Sequence, residues 1–505
     1  MVRKVAKRSN NSIPVQKRDS SSLSIKLGTD IEKNIELIKA ELGHSSDLAV
    51  RIMKNRDTAL THFAVFHIEG ISSAKNISEQ IMEPLIKLSQ THELPSLLDV
   101  ADMLSVPNLT ETEDIKDLIP SLVSGNTVIF LKDSSSALVA STAEVKKRAI
   151  EESTTQTVIR GPKDSFTEDN RVNTSLVRMR VKNPSLRLKA LVIGTLTQTK
   201  VEYMYLDGII EPSIIKELEK RLKQIQADQI LDSSYIEKFL QDHPESIFPT
   251  LLSTERPDSV AANLLEGKFA IFVEGSPFIL IGPVTFFQYF QSPEDYYLSK
   301  YISSFIRILR FISFFLTLYT PALYIALVSH HLGLIPTVLV ISLAAQREGV
   351  PFPLIIEAII MEFAFEIMRE AGVRMPRAVG NTISIVGAII IGQAAVEAGF
   401  VSAATVIIVS ITAIASFTLP YYNISNTGRI LRFSLLLAGA YIGLYGLLLV
   451  TLAIAAHLCS LRSFGMPYFS PFAPVRLNKQ KDTLINLTVT QSPIRKEENT
   501  GGDSQ

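Results

Sequence analysis

Read as a pattern of apolar and polar positions, the chain changes character near residue 300. Before it, short apolar runs alternate with charged, turn-rich stretches; after it come long runs without charge. Helical spacing opens the pattern at residues 30–55, where Ile31, Ile35, Ile38 and Leu42 fall on one face. A strand follows at Phe63-Ala64-Val65-Phe66-His67-Ile68, ending in Glu69-Gly70, and then a helix through Ile77, Ile81 and Leu85. The same unit returns. Val201-Glu202-Tyr203-Met204-Tyr205-Leu206 runs into Asp207-Gly208 and a helix through Ile214, Leu218 and Leu222. Leu122-Val123-Ser124-Gly125 before the apolar run 128–131 is answered by Leu264-Leu265-Glu266-Gly267 before 270–273 and Glu274-Gly275. The offsets are 138 residues from Phe63 to Val201 and 142 from Leu122 to Leu264, so one α/β unit is expected twice. At each corner glycine supplies the backbone freedom to leave the strand and the acid can accept from nearby amides. Glu69, Asp207 and Glu274 are therefore read as structural. Lys132-Asp133-Ser134 lacks the glycine, and a different turn is expected there.

The second half reads differently. Residues 311–346 contain no Asp, Glu, Lys or Arg, residues 378–428 only Glu397, and residues 433–461 none. A helix of a soluble domain needs a wet face, whereas a bilayer span needs about 20 mostly apolar residues. Residues 288–301, with Tyr289, Phe290, Tyr296, Tyr297 and Tyr301, are expected in the headgroup layer, leading into a span at 311–328 kinked at Pro321. Arg307 and Arg310 then sit at the membrane edge. Residues 332–346, short and holding Pro336, suit a re-entrant segment, and His330-His331 an interface rather than a metal site. Further spans are expected at 380–400, 404–419 and 435–458. Arg374 and Arg377 pull one loop inward and Arg429 and Arg432 another. Satisfying both adds a crossing before Arg369 and puts the tail outside, whereas Arg462, Arg476, Lys479 and Lys481 argue for a tail inside. Four spans with the soluble half and both termini cytoplasmic are the favoured expectation.

Two kinds of candidate residue emerge. Glu362, Glu366 and Glu370 recur every fourth position, opposite Ile356, Ile360, Phe363 and Ile367. Carboxylates near a bilayer are expensive unless they face protein, water or a cation. The helix either lies at the interface, paired with Arg369, Arg374 and Arg377, or faces a hydrated pathway. Glu362 and Glu366, with Gln393 and Glu397 four apart on a later face, are candidates for an ion path. Gly380, Ser384, Ala388 and Gly392 form a strip of small residues, and Gly439 and Gly443 a GxxxG pair; these are candidate helix-packing positions.

Composition and charge narrow this picture. Fifty Lys and Arg balance fifty Asp and Glu, so no bulk attraction to nucleic acid is implied. The basic arm bearing Arg3, Lys4, Lys7, Arg8, Lys17 and Arg18 has no apolar core and is not a signal peptide. Cys459 is the only cysteine, which excludes internal disulfides and a cysteine-based zinc site. The basic stretch from Arg160-Gly161-Pro162-Lys163-Asp164 through Arg171, Arg178, Arg180 and Lys182 reads as a charged linker whose face is solvated or meets another subunit, ahead of anion binding. No phosphate loop, metal-spaced histidine set or nucleophile elbow is present, so neither catalytic residues nor a cofactor is expected. The expected architecture is a flexible arm (1–28), two related α/β subdomains (29–160 and 187–287) joined by the linker (161–186), a helical polytopic membrane domain (288–460) and a polar tail (461–505).

Several blocks in fixed order carry a family resemblance. They are Val158-Ile159-Arg160-Gly161-Pro162 with Phe166-Thr167-Glu168; Phe248-Pro249-Thr250 with Ser253-Thr254-Glu255-Arg256-Pro257-Asp258; and Glu274-Gly275-Ser276-Pro277-Phe278 running on to Phe290-Gln291-Ser292-Pro293-Glu294-Asp295-Tyr296-Tyr297. Arg347-Glu348-Gly349-Val350-Pro351-Phe352-Pro353, then Glu370-Ala371-Gly372-Val373-Arg374, and Ile391-Gly392-Gln393-Ala394-Ala395-Val396-Glu397-Ala398-Gly399 complete the set. From about residue 35 to 474 the chain resembles the A subunits of bacterial spore germinant receptors, the GerA type. The resemblance implies a multi-pass protein of the spore inner membrane, assembled as a homo-oligomer with a transporter-like B subunit and a lipoprotein C subunit, and contacting membrane lipid. It also implies an ion channel that releases cations when nutrient is sensed and so triggers germination. A sporulation-stage paralogue without a nutrient-sensing partner, and a secondary transporter, remain as alternatives.

Overall fold

The computed structural model describes residues 26–54, 61–89, 95–144, 156–374, 390–475 and 483. It divides into two compact units, Met1–Lys146 with Lys182–Arg187, and Lys147–Val181 with Leu188–Gln505.

In the first unit, helix α1 (Ile31–Glu41) starts at Asp30, whose carboxylate accepts from the amides of Glu32 and Lys33. It ends earlier than its apolar spacing predicts. Gly43 (φ 61) and His44 (φ 49) take left-handed backbone, and Leu48–Lys54, with alternating Val50 and Ile52, becomes strand β1. β1 pairs antiparallel with β2 (Thr61–Ile68). A helical run α2 (Ala74–Asn76, Ile77–Met82 and Glu83–Leu88), α3 (Leu97–Met103), β3 (Leu109–Thr112), α4 (Ile115–Val123), β4 (Thr127–Leu131) and β5 (Ala137–Ala140) complete it. The sheet order is β1-β2-β4-β5-β3. Period-two burial puts Phe63, Val65, Ile129 and Leu131 against Ile77, Ile81 and Leu85.

The second sheet repeats this plan. α5 (Asn170–Arg180), β6 (Leu186–Ile193), β7 (Thr199–Leu206), α6 (Pro212–Gln224), α7 (Ser233–Leu240), β8 (Leu252–Thr254), α8 (Pro257–Leu265), β9 (Phe269–Val273) and β10 (Ile279–Gly282) follow in order. The strands lie β6-β7-β9-β10-β8, the order of the first sheet position by position. Two expectations are corrected here. The stretch read as a charged linker contains α5, which starts at Asp169 and buries Arg178 with Leu176 and Val177. The corner at Asp133 is also not a different turn. Asp133 adopts φ 58, in the left-handed region used by Gly70 (φ 89), Gly208 (φ 76) and Gly275 (φ 85). Aspartate tolerates that region better than most side chains.

Beyond β10, two short turns, Phe286–Phe290 and Pro293–Tyr296, lead to helix α9 (Lys300–His330), which is continuous through Pro321. Tyr289, Phe290 and Asp295 are buried rather than spread in a headgroup layer, and the Tyr289 hydroxyl donates to the carbonyls of Pro249 (2.9 Å) and Leu251 (2.8 Å). Tyr296 and Tyr301 remain exposed. α10 (Thr337–Arg347), α11 (Leu354–Arg374), α12 (Ala403–Ser416), α13 (Tyr422–Ile442) and α14 (Leu444–Ser460) follow. Among the described residues, one helix, α9, is long and apolar enough to cross a membrane.

Specific contacts fix the helix directions. α13 starts beside the second sheet, where the Thr427 hydroxyl donates to the Ile247 carbonyl at 2.6 Å. Its other end meets the end of α9, where His330 Nε2 lies 2.7 Å from the Ala440 carbonyl. The single span expected at 435–458 is instead a hairpin. Gly443 takes φ 69, and α14 runs back until His457 Nε2 lies 2.9 Å from the Ser246 hydroxyl. The chain after it is built into the second α/β unit. Ser463 donates to the Thr250 carbonyl at 2.8 Å, and the Phe464 amide to Asp242 at 2.7 Å.

Candidate functional site

α11 faces α13 through charge. Its outward stripe is apolar: Ile356, Ile360, Phe363 and Ile367 are 41–68% exposed. Its inward side carries Glu362 and Glu366, because residues four apart share a helix face, whereas Glu370 near the end of the helix is exposed and paired with Arg374. Glu366 is gripped by arginines of α13. Arg429 Nε donates to Oε1 at 3.1 Å and its Nη2 contacts Oε2, while Arg432 Nη2 donates to Oε1 at 2.9 Å. Arg369, one turn along α11, lies 3.7 Å from Oε2. Glu362 is fully buried with Arg432 Nη2 2.9 Å from its Oε2, outside hydrogen-bonding angles. Both Glu362 oxygens, Arg369 Nη2 and Arg432 Nε are buried without a hydrogen-bond partner among the described residues. Two carboxylates thus meet three guanidiniums in a network whose capacity is incompletely used. Such groups demand water or a rearranged partner, since an unsatisfied buried polar atom costs about 1–3 kcal/mol.

A second buried acid, Glu357, was not singled out by spacing. Arg347 Nε donates to its Oε1 at 3.1 Å, and the Ser402 amide and Thr405 hydroxyl to its Oε2, each at 3.1 Å. The carboxylate thereby caps the first turn of α12 and ties α11 to it. Its signal in the sequence was a lone acid in an otherwise apolar turn. The Arg429 and Arg432 pair was legible only as a topology signal, because nothing local shows that α13 lies against α11. The third charged centre is Asp295. Arg307 Nε donates to Oδ2 at 3.0 Å, and Arg310 Nη1 lies 2.8 Å from both oxygens. Both side chains are therefore turned into the protein, towards Asp295.

The remaining candidates separate. Gln393 donates to Glu397 at 2.8 Å, and both are exposed. Gly380, Ser384 and Ala388 lie outside the described residues; Gly392 lies near Val406. Gly439 is a close-approach position: a Cβ there would stand 2.7 Å from the Ala322 carbonyl of α9. Gly443 serves the hairpin turn instead, with His331 Nε2 accepting from the Leu444 amide at 3.3 Å. Among the described residues no cluster of three His, Cys, Asp or Glu could hold a metal ion.

The profile for Bacillus/Clostridium GerA spore germination protein matches residues 36–498. Spore germination protein KA of Bacillus subtilis (strain 168) is 44% identical over 464 residues, covering 91% of this chain and 85% of that protein. The uncharacterized membrane protein YfkQ of the same organism is 42% identical, covering 92% of this chain and 91% of that protein. Spore germination protein GerLA of Bacillus cereus is 40% identical, covering 89% and 92%. A crystal structure of the N-terminal domain of the A subunit of the Bacillus megaterium spore germinant receptor GerK3 is 35% identical, covering 52% of this chain and 98% of that one, with a TM-score of 0.42.

Proposed function

The chain belongs to the Bacillus/Clostridium GerA family of spore germination proteins, and we propose that it is the membrane-embedded A subunit of a germinant receptor. In this reading it works as a homo-oligomeric cation channel beside a transporter-like B subunit and a lipoprotein C subunit, in the spore inner membrane, with no catalytic step. The observation that carries the membrane part is the inverted amphipathicity of α11. Its apolar stripe faces outward while Glu362 and Glu366 face arginines inside, the arrangement that lipid surroundings favour and water does not.

The same geometry ranks the candidate path residues. Gln393 and Glu397 sit at the protomer surface, where a pore between protomers can use them. Glu362 and Glu366 reach such a path only by exchanging their arginine partners. Purified full-length protein in vesicles, followed by cation efflux per assembled protomer, tests this. Glu397→Gln should lower flux severalfold with assembly intact, whereas Glu366→Gln should first lower the amount of assembled protein. Equal flux per protomer for wild type and Glu397→Gln rejects the path assignment.

Because residues 461–468 are built into the second α/β unit, the tail leaves on the side of the soluble half. We assign that side to the cytoplasm. Cys459, the only cysteine and exposed at the end of α14, reports on it without mutagenesis. A membrane-impermeant maleimide should label it only when reagent reaches the interior; labelling from outside reverses the topology.

A further inference from the structure

Two neighbouring histidines hold the far end of the helices in opposite ways. Thr427 ties the start of α13 to the Ile247 carbonyl, and Ala440, about 20 Å further along the helix, meets the end of α9. There α13 turns into α14 at Gly443, which is the C-cap of one helix and the N-cap of the next and has no side chain to cap with. The cap comes from α9 instead: the Leu444 amide donates to His331 Nε2 at 3.3 Å. A backbone N–H can only donate, so this ring nitrogen carries a lone pair and the ring proton sits on Nδ1. His330 is the converse. Its Nε2 lies 2.7 Å from the Ala440 carbonyl, which can only accept, so there the proton sits on Nε2.

A second proton therefore acts differently on the two rings. On His330 it goes to Nδ1 and strengthens the bond to Ala440, because charged donors bond more strongly. On His331 it goes to Nε2 and sets two donors against each other. The ring cannot shift into the corner, where a Cβ on Gly443 would stand 2.9 Å from His331 Nε2 and 3.0 Å from His330 Cβ. The first turn of α14 also carries partial positive charge that opposes an imidazolium. Histidine is the side-chain type whose charge changes between about pH 5 and 8, and His330 is exposed and His331 half-buried. Residues 311–346 and 433–461 hold no Asp, Glu, Lys or Arg. α11 packs Leu354 and Ala358 against Ile325 and Leu436 at this end and brings Glu357, held by Arg347 at 3.1 Å, with exposed Glu348 before it. Tyr324, Tyr441 and Tyr445 are phenols, a type that stays neutral over that range.

We propose that His331 is a pH-sensitive latch on the α13–α14 hairpin. The latch is closed while its ring is neutral and is released as pH falls through the range in which a histidine gains its proton. His330 keeps α13 on α9 in both states, so release frees only the first turn of α14, which then hinges at Gly443. Acid at this end of the helices is sensed without any titration in the α/β units. The inference goes beyond the proposed function and does not depend on conduction.

Hydrogen exchange on purified full-length protein, corrected for intrinsic rates, tests this between about pH 8 and pH 5. Residues 443–449 should exchange about tenfold faster at the acid end, equivalent to about 1.4 kcal/mol, while residues 433–442 should not change. His331→Gln offers the Leu444 amide a carbonyl oxygen that does not titrate, so its profile should stay flat at the wild-type level of the alkaline end. His330→Gln can still donate to Ala440 and should keep the slope. His457, the other histidine of α14, lies about 20 Å along the helix from Leu444, and its own titration would show at residues 455–460 instead. A flat wild-type profile, or equal acceleration in 433–442 and 443–449, overturns the latch. So does a slope that survives His331→Gln or disappears in His330→Gln. If His331→Gln fails to assemble, wild type and His330→Gln decide between them, by the difference between the two segments and its persistence without the His330 ring.

Discussion

The two five-stranded sheets share one strand order and have become different objects. In the first, strands β2 and β4 bury Phe63, Val65, Ile129 and Leu131 beneath helix α2, and the described ion pairs Lys26–Glu113, Lys33–Asp30 and Lys39–Glu36 are at least partly exposed. In the second, the segment after β10 carries Tyr289 and Asp295 into the interior, and charged groups there are buried and shared with α9. The tail returns to the same place through Ser463 and Phe464, and Arg221 stacks 4.6 Å over the Phe464 ring. A repeated sheet therefore fixes the scaffold, while the loops of one copy determine what that copy can transmit. The copy joined to the helices has exchanged solvated charges for buried ones.

That contrast predicts its own largest breakage. Asp295→Asn leaves Arg307 and Arg310 without their shared carboxylate, and removing one partner of a buried pair costs about 3–5 kcal/mol. Loss of most assembled protein from membranes is expected. Glu113→Gln in the first unit breaks only the exposed pair with Lys26 and should cost less than about 1 kcal/mol. Comparable losses from both substitutions would mean that the two units do not differ in the way described.

A smaller effect concerns equivalent helices and acidity. Ser96 donates to Asp99 at the start of α3 and holds its carboxyl below the usual range. On α7 of the second unit, burial pushes Glu237 up to about 7, aided by nearby Asp232 and opposed by the Gln241 hydrogen bond. The two signs are opposite. Between the unfolded pKa and about 7 the folded protein holds a proton on Glu237 that the unfolded chain does not, so stability from this group is present at low pH and lost as pH rises through 7. The Asp99 contribution is present above the unfolded pKa and lost only in acid. Hydrogen exchange on the full chain, corrected for intrinsic rates, should show α7 losing protection from pH 5 to 8 while α3 does not. Glu237→Gln should flatten the α7 profile; a slope that survives it assigns the effect to another group.

How much of this was legible follows from what local sequence encodes. The repeat was readable because strand, corner and helix are local patterns, and Phe63–Ile68 and Val201–Leu206 each announce themselves within six residues. The early end of α1 was not, because Ile31, Ile35, Ile38 and Leu42 set a helical period that the following strand does not visibly break. The hairpin at Gly443 was hidden by apolarity. In an all-apolar stretch a GxxxG pair and a turn glycine look alike, and only His331 against the Leu444 amide separates them. Glu362 and Glu366 were found as acids, but their partners Arg429 and Arg432 lie more than sixty residues away, on a helix whose direction no local pattern gives.

The smallest effect is the most direct test of the repeat itself, at the corner after the third strand of each sheet in space. Asp133 (φ 58) and Gly275 (φ 85) stand 142 residues apart, the same offset that relates Leu122 to Leu264. If they are one turn used twice, exchanging their residue types should give effects of opposite sign. Asp133→Gly relieves the left-handed conformation, which costs an ordinary L-residue about 1–2 kcal/mol and aspartate less. It also frees the unfolded chain, which opposes stability by about 0.4–1 kcal/mol. The two nearly cancel, so the change should be small and neutral to stabilising. Gly275→Asp meets no atom within 4 Å of an added Cβ, so it clashes with nothing and reports backbone strain alone. It should destabilise by about 1 kcal/mol, read as faster hydrogen exchange in β9 and β10 than in wild type. If Gly275→Asp leaves exchange unchanged while Asp133→Gly accelerates it in β4 and β5, the two corners are unrelated turns and the equivalence of the sheets ends at strand order.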